Sequence, residues 1–223
     1  MATTWRRALV TGASSGIGRA IALQLSAEGV ALVVVARDTK RLEALAAECA
    51  PTEVEVLTAD LTDSGQVSAV ETRLRDPDRP IDLLVNNAGF GLTGHFVDLD
   101  IDTESAVVLV NAMALHRLSH AAGYVMAQRG RGGILNISSL ADRLVAPRGA
   151  TYAASKAFVT SFSEALHEEL KPRGVTVTVS CPGYTRTEFH ARAGIEPGGP
   201  SLIWQDAGAV ARQSLAAVDA GRA

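Results

Sequence analysis

Tyr152 and Lys156 stand four residues apart in the stretch Tyr152-Ala153-Ala154-Ser155-Lys156. On a helix that spacing puts both on one face, one turn apart, with an ammonium beside a phenol. A tyrosine hydroxyl ionises near pH ~10 and is a poor proton shuttle at neutral pH. A close positive charge favours the phenolate and is expected to pull its pKa towards the working range. Tyr152 would then give a proton to a carbonyl or take one from an alcohol. With three Tyr and three Lys in 223 residues, the spacing arises by chance about 0.04 times, so the surrounding elements must confirm it.

Those elements alternate. Apolar, β-branched runs predict strands from Ala8, over Val30–Ala36, Glu53–Thr58, Ile81–Asn86, Gly133–Ser138 and Val175–Ser180. Between them, helical periodicity covers Arg19–Leu25, Asp38–Cys49, Asp63–Arg75, Asp102–Arg129 and Thr151–Lys171. Continuous apolar strands separated by helices predict one α/β domain over residues 1–223, a Rossmann-like doubly wound parallel sheet with helices on both faces. Ligands of such sheets bind beyond the carboxyl ends of the strands. There lie Thr11–Gly18, Arg37, Asp60-Leu61, Asn86–Gly89, Ser138-Ser139 and Pro182-Gly183.

The first of these is a phosphate-cradling arrangement. Glycines 12, 16 and 18 let the backbone approach a pyrophosphate, and a helix starting near Gly16 offers unpaired amides and a positive dipole end. The spacing is G-x-x-x-G-x-G rather than G-x-G-x-x-G, and by itself it could equally be a tight turn.

Taken together, these residues resemble the short-chain dehydrogenases/reductases in their compact single-domain branch. Thr11–Gly18 is similar to that family's T-G-x-x-x-G-x-G turn, Asn86–Gly89 to its N-N-A-G, and Tyr152–Lys156 to its Y-x-x-x-K. Ser139, thirteen positions before Tyr152, has the spacing of the catalytic serine, with Ser138 the second choice. Asn111 resembles the fourth catalytic member. The resemblance implies hydride transfer between a nicotinamide and a small carbonyl or secondary alcohol. Tyr152 would exchange the proton and Ser139 would hydrogen-bond the substrate oxygen. Lys156 would lower the Tyr152 pKa and bind the nicotinamide ribose, and Asn111 would hold a proton-relaying water. It implies cofactor contacts from Gly12, Ser14, Ser15, Gly16, Ile17 and Gly18, from Asp60 and Leu61, and from Asn87, Ala88 and Gly89. Tyr152, Lys156, Pro182, Gly183, Thr185 and Thr187 complete that set.

NADP(H) is favoured over NAD(H) on the chemistry of the second strand end. An NAD site places an acid there to hold the ribose hydroxyls, whereas this chain has Ala36 then Arg37, whose planar fork suits a 2′-phosphate, with the Ser14 hydroxyl nearby. Arg37 could instead pair with Asp38 at the surface, and Asp60 could cap the next helix. The stretch 186–205, rich in Gly and Pro, is expected to be a mobile lid. Phe90, Leu92, Leu140, Tyr184, Phe189 and Trp204 would line an apolar substrate site. Relatives of this branch continue past a last helix, here Ala207–Ala220, into a seventh strand, and this sequence stops at Ala223, so strand six is expected at an exposed edge. A homodimer is expected through the helices near Asn111–Arg129 and Thr151–Lys171, with a homotetramer as the larger alternative. A non-catalytic NADP(H)-binding sensor or scaffold is the rival function, one that would not need Asn111, Ser139, Tyr152 and Lys156 together.

Composition narrows the rest. A net charge of −3 without like-charged runs leaves no electrostatic footprint for nucleic acid or an anionic membrane. No signal peptide or spanning run is evident, so the cytoplasm is the expected location. Cys49 and Cys181 lack partner spacing, and His116 and His120 lack a third ligand, so no disulfide framework or metal site is expected.

Overall fold

A computed structural model describes residues 4–194 and 203–223 of the chain. Its strands are β1 (Arg7–Thr11), β2 (Ala31–Ala36), β3 (Val54–Thr58), β4 (Leu83–Asn86), β5 (Gly132–Ile137) and β6 (Val175–Ser180). They form one parallel sheet in the order β3-β2-β1-β4-β5-β6. The order reverses between β1 and β4, and the crevice beyond that switch point is where such sheets bind ligands.

Because strand side chains alternate between faces, the sheet feeds two cores. Ala8, Val10, Leu32 and Val34 pack with Ile21 and Leu25 of α1 (Gly16–Ala27), Leu42 and Leu45 of α2 (Thr39–Glu48), and Leu215 and Val218 of α8 (Ala207–Asp219). Leu9, Val33, Leu84 and Ile134 pack with Val67, Val70 and Leu74 of α3 (Ser64–Leu74) and Leu118 and Met126 of α5 (Leu115–Arg129). Leu166 and Leu170 of α6 (Ala150–Leu170) close the second core. Strands buried on both faces explain why the sequence reads as continuous apolar runs instead of alternation.

The predicted helix 102–129 is not one regular helix. α4 (Ile101–Val108) passes through a π-helical turn, Leu109–Ala114, before α5. Such turns are concentrated at functional sites, and this one carries Asn111. The stretch 186–205 is more ordered at its ends than its composition suggests. β7 (Thr185–Arg186) pairs with β8 (Gln205–Asp206), and α7 (Phe189–Arg192) follows β7. The rest of the expected lid, 195–202, lies outside the described residues. β6 is the edge of the main sheet among the described residues. No helix among them is long and apolar enough to cross a membrane.

Helix capping separates framework from site. Asp38, Asp63, Asp100 and Asp206 cap α2, α3, α4 and α8, each accepting the backbone N–H three residues on. The N-termini of α1 and α6 carry no side-chain cap and no acid in the first turn. Both begin at the carboxyl end of the sheet, next to the glycine turn and Tyr152.

Candidate active site

The glycine turn is held by β4. The Thr11 hydroxyl accepts the Asn87 and Ala88 amides, each at 3.0 Å, while Asn87 Nδ2 donates to the carbonyls of Thr11 (3.0 Å) and Gly12 (3.2 Å). Asn87 thus anchors the turn with its side chain. A Cβ on Gly18 would lie 2.3 Å from Asn87 Nδ2 and 2.6 Å from Gly12 O, so only glycine fits. Gly12 and Gly16 have φ of +65° and +57°, the left-handed region that glycine adopts without strain. The turn presents the uncapped amides of α1 to the crevice, with Ser14, Ser15, Gly16 and Ile17 partly exposed along it. Amides so presented can hold an anion.

Beside it, Arg37, Thr62, Phe90, Asp102, Thr103 and Ala106 enclose a cavity of about 410 Å³ at the ends of β2, β3 and β4. The Arg37 side chain is 72% exposed, and its ion-pair partner is Asp60, 3.9 Å away, not Asp38. Asp38 instead caps α2, and α3 is capped by Asp63, which corrects both alternative roles read from the sequence. Asp60 accepts from the Thr62 amide and hydroxyl at 2.9 and 2.8 Å. Burial works to raise its carboxyl, but the two Thr62 bonds and Arg37 hold it below the ordinary range. Leu61 is buried in the core, so its side chain packs with the second core rather than facing the cavity.

Tyr152, Lys156 and Ser139 meet where α6 starts. Tyr152 lies between Phe189, at 5.3 Å between ring centroids, and the Gly91 backbone, where a Cβ would come within 2.8 Å of Tyr152 Cδ2. Lys156 is buried, donates to Ile137 O at 2.8 Å, and sits 5.8 Å from the Tyr152 ring centroid. Burial pushes its ammonium down to about 8, against a weaker opposing pull from Cys181. The expectation that Lys156 lowers the phenol pKa is corrected here. Burial raises Tyr152, only a hydrogen bond with Ser139 pulls it down, and Lys156 is not among the groups that move it. The ammonium donates to Ile137 O and stands over the Tyr152 ring, 5.8 Å from its centroid.

Ser139 opens a 3₁₀ turn, Leu140–Arg143, and its Oγ accepts the Ala141 amide at 3.2 Å. Ser138 is buried, bonded to Lys156 O and Thr160 Oγ1, whereas Ser139 is only partly buried. Asn111 is buried in the π turn. Its Oδ1 accepts Phe90 N (3.0 Å), and its Nδ2 donates to Phe90 O (2.9 Å) and Ser155 Oγ (3.0 Å). Both amide hydrogens are used, and the oxygen accepts one bond. Gly89 passes directly over this cluster, since a Cβ there would be 3.0 Å from Asn111 Oδ1 and 3.4 Å from Lys156 Nζ.

The strand-six loop closes the crevice. Thr187 lies against the glycine turn, 3.2 Å from a Cβ placed on Gly16, and its Oγ1 accepts Phe189 N. Thr185 is buried and donates its hydroxyl to Gly183 O at 3.0 Å. Pro182 O accepts Leu140 N, and Gly183 abuts Leu140. Of the apolar lining set, Tyr184 and Trp204 pack together at 5.2 Å, and Leu140 is 53% exposed at the mouth. Sequence reasoning missed Gly91 and Ser155. Ser155 links the Tyr152 carbonyl to Asn111, and its place beside Lys156 was a usable signal. It also missed the ion pair in which Arg41 Nη1 donates to both Glu188 carboxylate oxygens, at 3.0 and 2.9 Å, which ties α2 to the segment after β7. His116 packs on Phe158 and Phe162. Among the described residues no group of three or more His, Cys, Asp or Glu is placed to hold a metal.

The profile of the family described as short chain dehydrogenase matches residues 6–196. A nodulation protein G of Rhizobium sp. (strain N33) is 39% identical over 184 residues, 81% of this chain and 74% of that protein. A short-chain dehydrogenase from Sphingobium yanoikuyae, solved in complex with NADPH, superposes with a TM-score of 0.92 at 38% identity, covering 97% of this chain and 85% of that one. A bulky-bulky ketone specific alcohol dehydrogenase from Comamonas testosteroni superposes with a TM-score of 0.86 at 36% identity, covering 97% of this chain and 83% of that one.

Proposed function

The chain belongs to the short chain dehydrogenase family, and on that premise we propose that it moves a hydride between NADP(H) and the carbonyl or secondary alcohol of a small, apolar substrate. The observation that carries the reading is the convergence of Ser139, Tyr152 and a buried Lys156 beside a π turn that holds Asn111. A binder needs the glycine turn but has no use for a desolvated lysine next to a phenol.

The nicotinamide, when bound, supplies or accepts the hydride. The uncapped α1 amides and the glycine turn hold the pyrophosphate, with Thr187 against Gly16, and the cavity by Arg37 holds the adenosine end. Arg37, with one weak ion pair and most of its side chain in solvent, is free to turn to a 2′-phosphate. The NADPH bound by the Sphingobium relative and the absence of an acid at Ala36 support NADP(H) over NAD(H). Lys156, charged at neutral pH with its folded value near 8, binds the ribose. Ser139 donates to the substrate oxygen, and Tyr152 passes it a proton. A phenol held above its ordinary range by burial is protonated at neutral pH, which suits carbonyl reduction. Asn111, whose amide bonds to Phe90 and Ser155, would hold the water that relays protons from Lys156 to solvent.

The mouth favours an apolar substrate, through Leu140, Tyr184, Phe189 and Trp204. α4, the π turn, α5 and α6 expose Val108, Leu109, Met113, Tyr124 and Phe158, each at least 41% exposed, an apolar face suited to a homodimer. The test is NADPH consumption against a panel of ketones, aldehydes and quinones. Turnover with at least one member, and a preference for NADPH over NADH, is the expected result. NADPH binding with no turnover anywhere would replace the enzyme by the sensor reading.

A further inference from the structure

We propose that Asp142 is a positioning residue that fixes where Ser139 presents its hydroxyl to Tyr152; the proposal rests on the reading of those two residues as the proton-exchange site. Asp142 sits inside the 3₁₀ turn that Ser139 opens, and its own amide donates to Ser139 O at 3.0 Å. Unlike its neighbours, its side chain points inward. Leu140, Leu144 and Val145 are exposed, so the segment is not held by apolar packing. The Asp142 side chain is 1% exposed.

The buried carboxylate joins the segments that frame the reaction. Oδ2 accepts Thr160 Oγ1 at 2.6 Å and Cys181 Sγ at 3.6 Å. Thr160 lies one turn beyond Lys156 and two beyond Tyr152 on the same face of α6, and Cys181 follows β6 directly. Thr160 Oγ1 is also 2.8 Å from Ser138 Oγ, which donates to Lys156 O at 2.9 Å. Ser138 and Asp142 therefore grip α6 from both sides of Ser139. The other oxygen, Oδ1, has no hydrogen-bond partner and only a 3.8 Å approach from the largely exposed Arg143. A carboxylate buried with half its acceptors unmet is costly. A small apolar residue would leave the turn's backbone bonds intact, so what the carboxylate adds is the fixed link to Thr160.

The experiment compares wild type with Asp142→Ala, Asp142→Asn and Thr160→Val, all in the full chain. Two quantities are read: kcat and KM with NADPH and the fastest ketone of the panel, and the Tyr152 titration, from tyrosinate absorbance of each protein minus its Tyr152→Phe counterpart. A displaced Ser139 should lower kcat about 10- to 100-fold in Asp142→Ala and Thr160→Val, with KM for NADPH within about twofold. Asp142→Asn, whose carbonyl oxygen still accepts from Thr160, should stay within about threefold of wild type. Since Ser139 is the group that pulls the phenol down, with Lys156 and Phe189 its other near neighbours, the Tyr152 midpoint should rise in Asp142→Ala and Thr160→Val and not in Asp142→Asn. A folded Asp142→Ala with wild-type kcat and an unmoved midpoint overturns the proposal. Should Asp142→Ala not fold, the same comparison in Thr160→Val decides. Should the wild type bind NADPH and reduce nothing, the functional reading fails, and the titration alone decides the positioning role.

Discussion

Replacing Lys156 by methionine should make the protein more stable while it stops turning over. The Lys156 ammonium is buried, and its pKa falls from 10.5 to about 8. At about 1.4 kcal/mol per unit, keeping it charged at pH 7 costs on the order of 3 kcal/mol. Methionine has nearly the same length and no charge, and its flexible chain can fill the space of the lysine stem. Against that gain stands the lost bond to Ile137 O, 2.8 Å in the native protein, a loss of about 1–2 kcal/mol. The net is a stabilisation of roughly 1–2 kcal/mol, or about 3–6 °C in Tm for a chain of this size. The pH dependence has a definite sign. The folded pKa lies below the unfolded one, so the unfolded state binds more protons between pH 8 and 10.5, and wild-type stability gains with pH across that window. The advantage of Lys156→Met is therefore full below pH 8 and shrinks as pH rises towards 10.5. Differential scanning calorimetry of both proteins at pH 7 and pH 10 measures it. A variant less stable than wild type at pH 7, or a gap that ignores pH, would refute the desolvation argument.

Other consequences follow from the geometry of the site. Gly91→Ala would place a Cβ 2.8 Å from Tyr152 Cδ2, so the ring must shift; kcat should fall at least about 10-fold, while NADPH affinity, followed by cofactor fluorescence, should hold. Arg37→Ser should raise KM for NADPH about 10- to 100-fold, the scale of a charge-assisted phosphate contact, and leave KM for NADH within twofold; equal effects on both cofactors would remove Arg37 from the phosphate site. Met113→Glu puts a charge on the exposed apolar face of α4–α6 and should halve the mass found by light scattering; an unchanged dimer would place the interface elsewhere.

The fold was legible because a sheet buried on both faces writes itself as apolar runs, and each predicted strand and helix has its counterpart in the chain. The glycine turn was legible for the same kind of reason: Gly18 has no room for a Cβ and Gly12 has positive φ, so neither position has freedom to vary. What spacing could not convey is the direction in which a side chain spends its hydrogen bonds. Lys156 is one helical turn from Tyr152 as expected, yet its ammonium is committed to Ile137 O. The Asn111 amide also bonds to Phe90 and Ser155, partners that its spacing does not convey. Arg37 was set against Asp38 on adjacency, whereas the chain turns so that Asp38 caps α2 and Asp60 faces the arginine. The contact of Gly91 with Tyr152 joins residues 61 positions apart, and only the packing of the β4 loop against α6 reveals it.

The central claim is that Tyr152 carries the proton to the substrate oxygen, and Tyr152→Phe tests it most directly. The substitution keeps the ring between Gly91 and Phe189 and removes only the hydroxyl. The account predicts that NADPH still binds with a Kd within about twofold of wild type while kcat for carbonyl reduction falls by a factor on the order of 10²–10⁴. Near-normal turnover in Tyr152→Phe, with NADPH bound as before, would contradict it.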